Sequence, residues 1–185
     1  MKKAIFLDRD GVLNEELGFQ VTNSEEFKIK QGVPEGLKKL KAAGFLLVVV
    51  TNQSGIAKGT YDDSFVLASH ERIQLASDNA LDDIYFAPGY DSVSRSLSRK
   101  PGSLMFERAI AKHNIDLSNS WMIGDRESDM IPAKKMGLST IQVAQTKPSP
   151  FADQVVLNFA QAVDLLLQTW SIEIQTLSFG IALVL

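Results

Sequence analysis

The sequence predicts an α/β fold, one parallel sheet with helices on both of its faces. Three observations lead there. Short runs such as Ala4–Leu7 and Phe45–Val50 are wholly apolar, without a helical period, as strands buried on both faces are. Segments of helical length stand between these runs, and such alternation pairs strands in parallel through right-handed crossovers. Polar residues follow several runs at once, at the strand ends where sheets of this kind bind ligands.

The first strand, Ala4–Leu7, runs into Asp8-Arg9-Asp10-Gly11. Asp8 stands at its tip, Asp10 points the same way if the backbone stays extended, and Gly11 allows an immediate turn. Two carboxylates this close repel unless a cation or a shared proton intervenes. The segment therefore reads as a metal site or catalytic dyad, or equally as an acidic turn. Residues 15–30 are polar and aperiodic, a long loop or small flap beside the acids. Pro34 opens a helix to Ala43, with Leu37 and Leu40 inward and Gly44 at its end. Phe45–Val50 is the second strand and ends in Thr51-Asn52-Gln53-Ser54-Gly55. Lys58-Gly59-Thr60 is a turn, after which Asp62 or Asp63 caps a helix to about Asn79.

Ile84–Ala87 is a third strand, followed by a Ser-, Gly- and Arg-rich loop, Pro88 to Ser98, and then Arg99-Lys100-Pro101-Gly102. A helix over Ser103–His113 leads to a fourth strand, Trp121–Ile123, ending in Gly124-Asp125-Arg126-Glu127-Ser128-Asp129. Met130–Met136 is helical, which puts Pro132 in the first turn, where proline is tolerated. Gly137 closes that helix and Thr140–Val143 is the fifth strand. Lys147–Pro150 is a surface loop, Asp153–Leu157 a short last strand and Phe159–Leu167 a last helix. Residues 1–168 thus make one domain, with no internal repeat or linker.

In the tail, residues 169–185, Trp170, Ile172 and Ile174 alternate with polar neighbours, and after a slip Leu177, Phe179, Ile181, Leu183 and Leu185 continue the pattern. Period two predicts a strand, or a hairpin turning near Gln175-Thr176. So apolar an end is expected to cover a sheet edge or to join a homo-oligomer.

Composition narrows the function classes. The chain of 185 residues is 45% apolar and 22% charged with a formal net charge of -3. That is enough for one full core and gives no electrostatic case for a nucleic-acid or membrane partner. With no cysteine, disulfides and thiolate zinc sites are excluded. The two histidines, His70 and His113, read as surface or boundary residues of amphipathic helices. The first apolar run is too brief for a signal peptide, and no stretch reaches the roughly 18 uncharged apolar residues of a membrane span. A cytoplasmic protein is expected.

Four strand ends carry polar signatures, more than a core built for stability needs. Asp8, Asp10 and Asp125 offer hard oxygen ligands that suit an octahedral magnesium completed by water and a phosphate oxygen. Asp8 can then attack phosphorus as a carboxylate nucleophile. Asp10 can protonate the leaving oxygen and later activate water. Thr51 and the backbone N–H groups after it can hydrogen-bond phosphoryl oxygens, and Lys100 sets a positive charge against nucleophile and phosphoryl group. Each signature alone has a plainer explanation. Thr51-Asn52 passes for a strand-end turn, Arg99-Lys100-Pro101 for a solvated basic loop, and Asp129 for a helix cap as readily as a metal ligand.

Taken together, Asp8–Asn14, Thr51–Gly55, Arg99–Gly102 and Gly124–Asp129 resemble the four motifs of the haloacid dehalogenase (HAD) superfamily of phosphatases. In wording they look most like the D-glycero-D-manno-heptose 1,7-bisphosphate phosphatase group and the related histidinol-phosphatases. The resemblance implies a Rossmann-like HAD fold with minimal or no cap domain, Mg2+ dependence and a phosphorylated sugar substrate. It implies conversion of the heptose 1,7-bisphosphate to heptose 1-phosphate through an aspartyl-phosphate. Histidinol phosphate or another small phosphomonoester is the alternative. A non-catalytic phosphate-binding module is the reading of another class, against which Asp8, Asp10, Lys100 and Asp125 all argue.

By the same resemblance Asp8 is nucleophile and magnesium ligand, Asp10 is acid/base with its backbone carbonyl on the metal, and Asp125 is the third protein ligand. Thr51 and Lys100 hold the transferred phosphoryl group. Glu16, Gly18, Phe19, Asn52, Arg99 and Arg126 face the rest of the substrate. Many members of the group bind a structural zinc, through three cysteines and a histidine, on the loop before Arg-Lys-Pro. Ala87-Pro88-Gly89 and Ser96-Leu97-Ser98 stand there in this chain, so no zinc is expected, and the altered loop leaves the exact substrate open.

Overall fold

The computed structural model describes residues 1–16, 26–93, 95–144 and 148–182, the last of these as backbone from 172 onward. Its strands are β1 (Ala4–Leu7), β2 (Leu46–Asn52), β3 (Asp83–Ala87), β4 (Trp121–Gly124), β5 (Ser139–Val143) and β6 (Gln154–Val156). They form a six-stranded sheet in the order β3-β2-β1-β4-β5-β6, with every pairing parallel. The helices are α1 (Val33–Ala42), α2 (Gly55–Lys58), α3 (Asp63–Ala76), α4 (Leu104–His113), α5 (Glu127–Lys135) and α6 (Phe159–Ala182).

The apolar runs are continuous because each strand feeds two cores. Ile5 and Leu7 of β1 pack with Leu47, Val49 and Ile123 against Leu37 and Leu40 of α1 and Val163 and Leu166 of α6. Ala4 and Phe6 face the other way, with Val48, Val50 and Met122, against Phe106 of α4 and Met130 of α5. The chain builds outward from β1 through β2 to β3, then crosses back to place β4 on the other flank of β1. The strand order reverses between β1 and β4, and a crevice opens there at the C-terminal ends of parallel strands. The Asp8 N–H, donating to the Ile123 carbonyl at 2.9 Å, ties the two strands at that point.

Several expectations are corrected. The tail is helical: α6 continues through Ala182, across residues for which alternation predicted a strand, and 183–185 lie outside the described residues. Val163, Leu166, Leu167 and Trp170 repeat at three- and four-residue spacing, and a nucleated helix propagates at little cost where no proline stops it. Trp170 fastens this helix, its ring centroid 5.9 Å from that of Phe45 and 2.9 Å from Lys3 Nζ. Helix α5 begins at Glu127, ahead of the expected start, so Pro132 lies inside it rather than in its first turn. The cause is a cap: Asp129 Oδ2 accepts the Arg126 N–H at 3.0 Å, which lets the helix begin that early. His70 is buried rather than a boundary residue; burial pushes its imidazole down to about 3, the neutral form. His113 does lie at the boundary, with Nε2 2.8 Å from Asp83 Oδ2. Among the described residues no helix is long and apolar enough to cross a membrane.

Candidate active site

Asp8 emerges from β1 into the crevice and is almost wholly buried. Lys100, from the loop after β3, comes to 2.9 Å from Asp8 Oδ1 and 2.5 Å from Asp129 Oδ1. Its Nζ also donates to the Val50 carbonyl at 2.7 Å. Burial works against the Lys100 charge, but Asp129 and Asp8 hold its pKa above the ordinary value. Asp125 sits at the tip of β4. Carboxylate oxygens of Asp8, Asp125 and Asp129 lie within 4.8 Å of one another.

This crowding raises the pKa values of two of the acids. Burial pushes Asp8 up to about 6 against the pull of Lys100, with Asp129 and Asp10 adding to the push. Burial, then Asp8 and Asp129, push Asp125 up to about 7. Asp125 Oδ1 is buried with no hydrogen-bond partner among the described residues, a costly state for a carboxylate oxygen. Three hard oxygen donors, with Asp129 Oδ1 also lacking a hydrogen bond, facing a single ammonium fit a divalent cation such as magnesium. The glycines beside them are there for space. A Cβ on Gly11, whose φ is +82°, would strike the Asp125 carboxylate, and one on Gly124 would strike Asp129.

Asp10 lies outside this carboxylate cluster. Its side chain turns to Arg9, with Nε at 3.1 Å and Nη2 at 2.8 Å, and to Gln53 Nε2 at 2.8 Å. Burial works against ionisation, but Arg9 and Gln53 hold Asp10 below the usual carboxylate range. Gln53 is the junction of this network. It also donates to Thr51 Oγ1 at 3.0 Å, and its Oε1 accepts from Arg9 Nη2 at 2.9 Å and from the Tyr61 hydroxyl at 2.8 Å. Thr51 is buried beside it. Asn52 makes a reciprocal pair with the Lys100 backbone, accepting its N–H at 2.9 Å and donating to its carbonyl at 3.0 Å. That pair locks the tip of β2 to the Lys100 loop.

These residues open into a cavity of about 550 Å³, whose lining includes Asp8, Asp10, Thr51, Asn52, Arg99 and Lys100. Glu16 and Arg126, also in the lining, pair with each other, and Arg126 Nε stands 3.6 Å from Asp125 Oδ2. Arg99 Nε meets Asp91 Oδ1 at 3.2 Å. Gly18 and Phe19 lie outside the described residues.

Residues 97–161 match the model of the HAD-hydrolase-like family. The chain is 38% identical over 154 residues to the D-glycero-beta-D-manno-heptose-1,7-bisphosphate 7-phosphatase of Haemophilus ducreyi, covering 78% of this chain and 84% of that one. The chain belongs to the heptose-bisphosphate phosphatase family of HAD-like hydrolases. Another member of this phosphatase family, from Pasteurella multocida, is 40% identical over 157 residues, 80% of this chain and 85% of that one. Among solved structures, the D,D-heptose 1,7-bisphosphate phosphatase of B. bronchiseptica, complexed with magnesium and phosphate, matches with a TM-score of 0.81. It is 26% identical and the match covers 90% of this chain and 99% of that one. As a member of the heptose-bisphosphate phosphatase family the chain is a phosphoric monoester hydrolase with the family's Rossmann-like HAD fold.

Sequence reading passed over Arg9, Gln53, Lys58 and Tyr61, all of which belong to this site or its network. The signal for Arg9 was a cation set between two aspartates. For Gln53 it was a polar side chain directly after a strand buried on both faces, which has to be hydrogen-bonded there. Lys58 and Tyr61 gave none, because a polar turn accounts for both.

Proposed function

We propose that this phosphatase removes the 7-phosphate of a D-glycero-D-manno-heptose 1,7-bisphosphate in a magnesium-dependent reaction through an aspartyl-phosphate. The observation that carries the chemistry is the buried Asp8–Lys100 pair at the strand-order reversal, with Asp125 alongside. The relatives' shared activity supports the substrate. Asp8, Asp125 and the Asp10 backbone carbonyl would hold the magnesium ion, which when bound offsets charge on the phosphoryl oxygens and keeps Asp8 ionised. Asp129 Oδ1 is ion-paired with Lys100 and its Oδ2 accepts the Arg126 N–H. That suits Asp129 to orienting Lys100 and the start of α5.

Asp8 attacks phosphorus, the bond to the sugar oxygen breaks, and that oxygen takes a proton from Asp10. Water then attacks the aspartyl-phosphate while Asp10 accepts its proton, which releases inorganic phosphate and restores Asp8. Thr51 and Lys100 bind the phosphoryl oxygens as charge gathers on them. The ion pair with Arg9 favours the ionised Asp10, the form the hydrolytic half needs. To act as an acid, the Asp10 carboxyl has to leave Arg9 and turn to the leaving oxygen. Asp8→Asn keeps the shape and removes the nucleophile, so phosphate release from the heptose bisphosphate should fall about a thousandfold or more. A variant within tenfold of wild type would remove Asp8 from the attacking role.

A further inference from the structure

Around the cavity stand several cations, and most are already matched. Arg9 is held by Asp10 and Gln53, Lys100 by Asp8 and Asp129, and Arg126 by Glu16. Lys58, at the end of α2, lines the same cavity with no carboxylate partner among the described residues. Its Nζ lies over the ring of Tyr90, 4.2 Å from the centroid. The Arg99 guanidinium lies over that ring too, at 5.9 Å.

An aromatic face attracts a cation at such a range without cancelling its charge. Tyr90 thus gathers two positive groups at the cavity wall and leaves both able to take an anion. The backbone fixes this arrangement, with the Ala57 N–H of α2 donating to the Pro88 carbonyl at 3.3 Å and Arg99 Nη1 to the Gly89 carbonyl at 3.4 Å. The anion now on Arg99, Asp91, is 76% exposed, and an ion pair so open to water is weak. A phosphate, with more charge and three acceptor oxygens, displaces it readily.

We propose that Lys58 joins Arg99, which the resemblance already turns to the substrate, in a subsite for the second phosphate, with Tyr90 as the residue that positions both. The proposal rests on the bisphosphate reading above. Lys58 meets the anion as a mobile point charge, and Arg99 meets it with a planar fork of donors. The test is kcat/KM for D-glycero-D-manno-heptose 1,7-bisphosphate against heptose 7-phosphate, in wild type and in Lys58→Ala, Tyr90→Leu and Tyr90→Phe. The preference for the bisphosphate is expected to fall about tenfold in Lys58→Ala, through KM. It should fall in Tyr90→Leu as well and survive in Tyr90→Phe, which keeps the ring. Preference retained in Lys58→Ala, or lost as fully in Tyr90→Phe as in Tyr90→Leu, overturns the subsite. A wild type that turns over the two sugars alike overturns the bisphosphate reading and the subsite with it, so the two failures are distinct. Lys58 is exposed and its truncation leaves the core untouched, so Lys58→Ala decides the matter even if Tyr90→Leu does not fold.

Discussion

Lys100 touches two carboxylates and a carbonyl while almost wholly out of solvent. Replacing it by alanine strands Asp8 and Asp129 as buried anions, which is expected to cost about 3–5 kcal/mol in a urea denaturation at pH 8. The loss should shrink at pH 5, because Asp8, already pushed up to about 6, takes a proton there instead. An equal loss at both pH values would mean that the stranded charge is not the cause. Phosphatase activity should disappear at either pH. Lys100 stood out in the chain only jointly with the other motifs, since its segment lies a loop beyond the third strand and alone passes for a solvated basic loop. Asp129 could not be read in the same way. A helix cap and a metal ligand both want an aspartate at that position, and the two differ only in where the oxygens point.

Asn52 shows how one element carries another. The resemblance turns it to the substrate, and in the fold it lines the cavity with its amide engaged with the Lys100 backbone. Asn52→Ala should cost about 1–3 kcal/mol for two lost hydrogen bonds and lower kcat on a simple aryl phosphate, because Lys100 drifts from its place. A residue that only contacted the sugar would instead raise KM for the heptose and leave the aryl phosphate alone. Helix α6 makes the opposite point about legibility. Trp170, Ile172 and Ile174 alternate, yet Trp170 and Ile174 also continue the stripe of Val163, Leu166 and Leu167. Two periods overlap within a few residues, and packing of the upstream turns against the core settles which one wins. Ending the chain after Gln168 removes Trp170 from Phe45 and Lys3. At about 1–2 kcal/mol for a half-buried ring, thermal melting should fall by roughly 3–8 °C, and a chain ending at Ser171 should keep that part of its stability.

The whole molecule folds around a site that opposes its own stability. Asp8 and Asp125 have pKa values raised in the fold, to about 6 and about 7 from an ordinary 3.8. The folded chain therefore binds protons more tightly than the unfolded one. Its advantage from these groups is full below pH 3.8 and is lost as pH rises through 6 and 7. A cation between the carboxylates reverses that loss. Magnesium at a hundred times its dissociation constant adds about 2.7 kcal/mol, or roughly 5–10 °C of melting temperature. It should do so at pH 8 and far less at pH 5.5. An equal shift at both, read by differential scanning fluorimetry, would place the ion elsewhere. At this scale the sequence was most informative about class and least about arrangement. Alternating strands and helices imply a parallel sheet, but strand order is set by which helices cover which face, and no local period records that.

The order of the sheet has a consequence in time. Asp8 is made well before Lys100, and Asp125 and Asp129 later still, yet all four meet where β1 and β4 lie side by side. On the ribosome, a nascent chain can collapse β1 on β2 and bury much of its apolar surface while the catalytic centre does not exist. A product stalled before Asp125 should therefore be silent rather than weakly active in phosphate release. If the site works as proposed, hydrolysis has to wait until synthesis has passed Asp129, and turnover then reports that the sheet has closed on both flanks of its first strand.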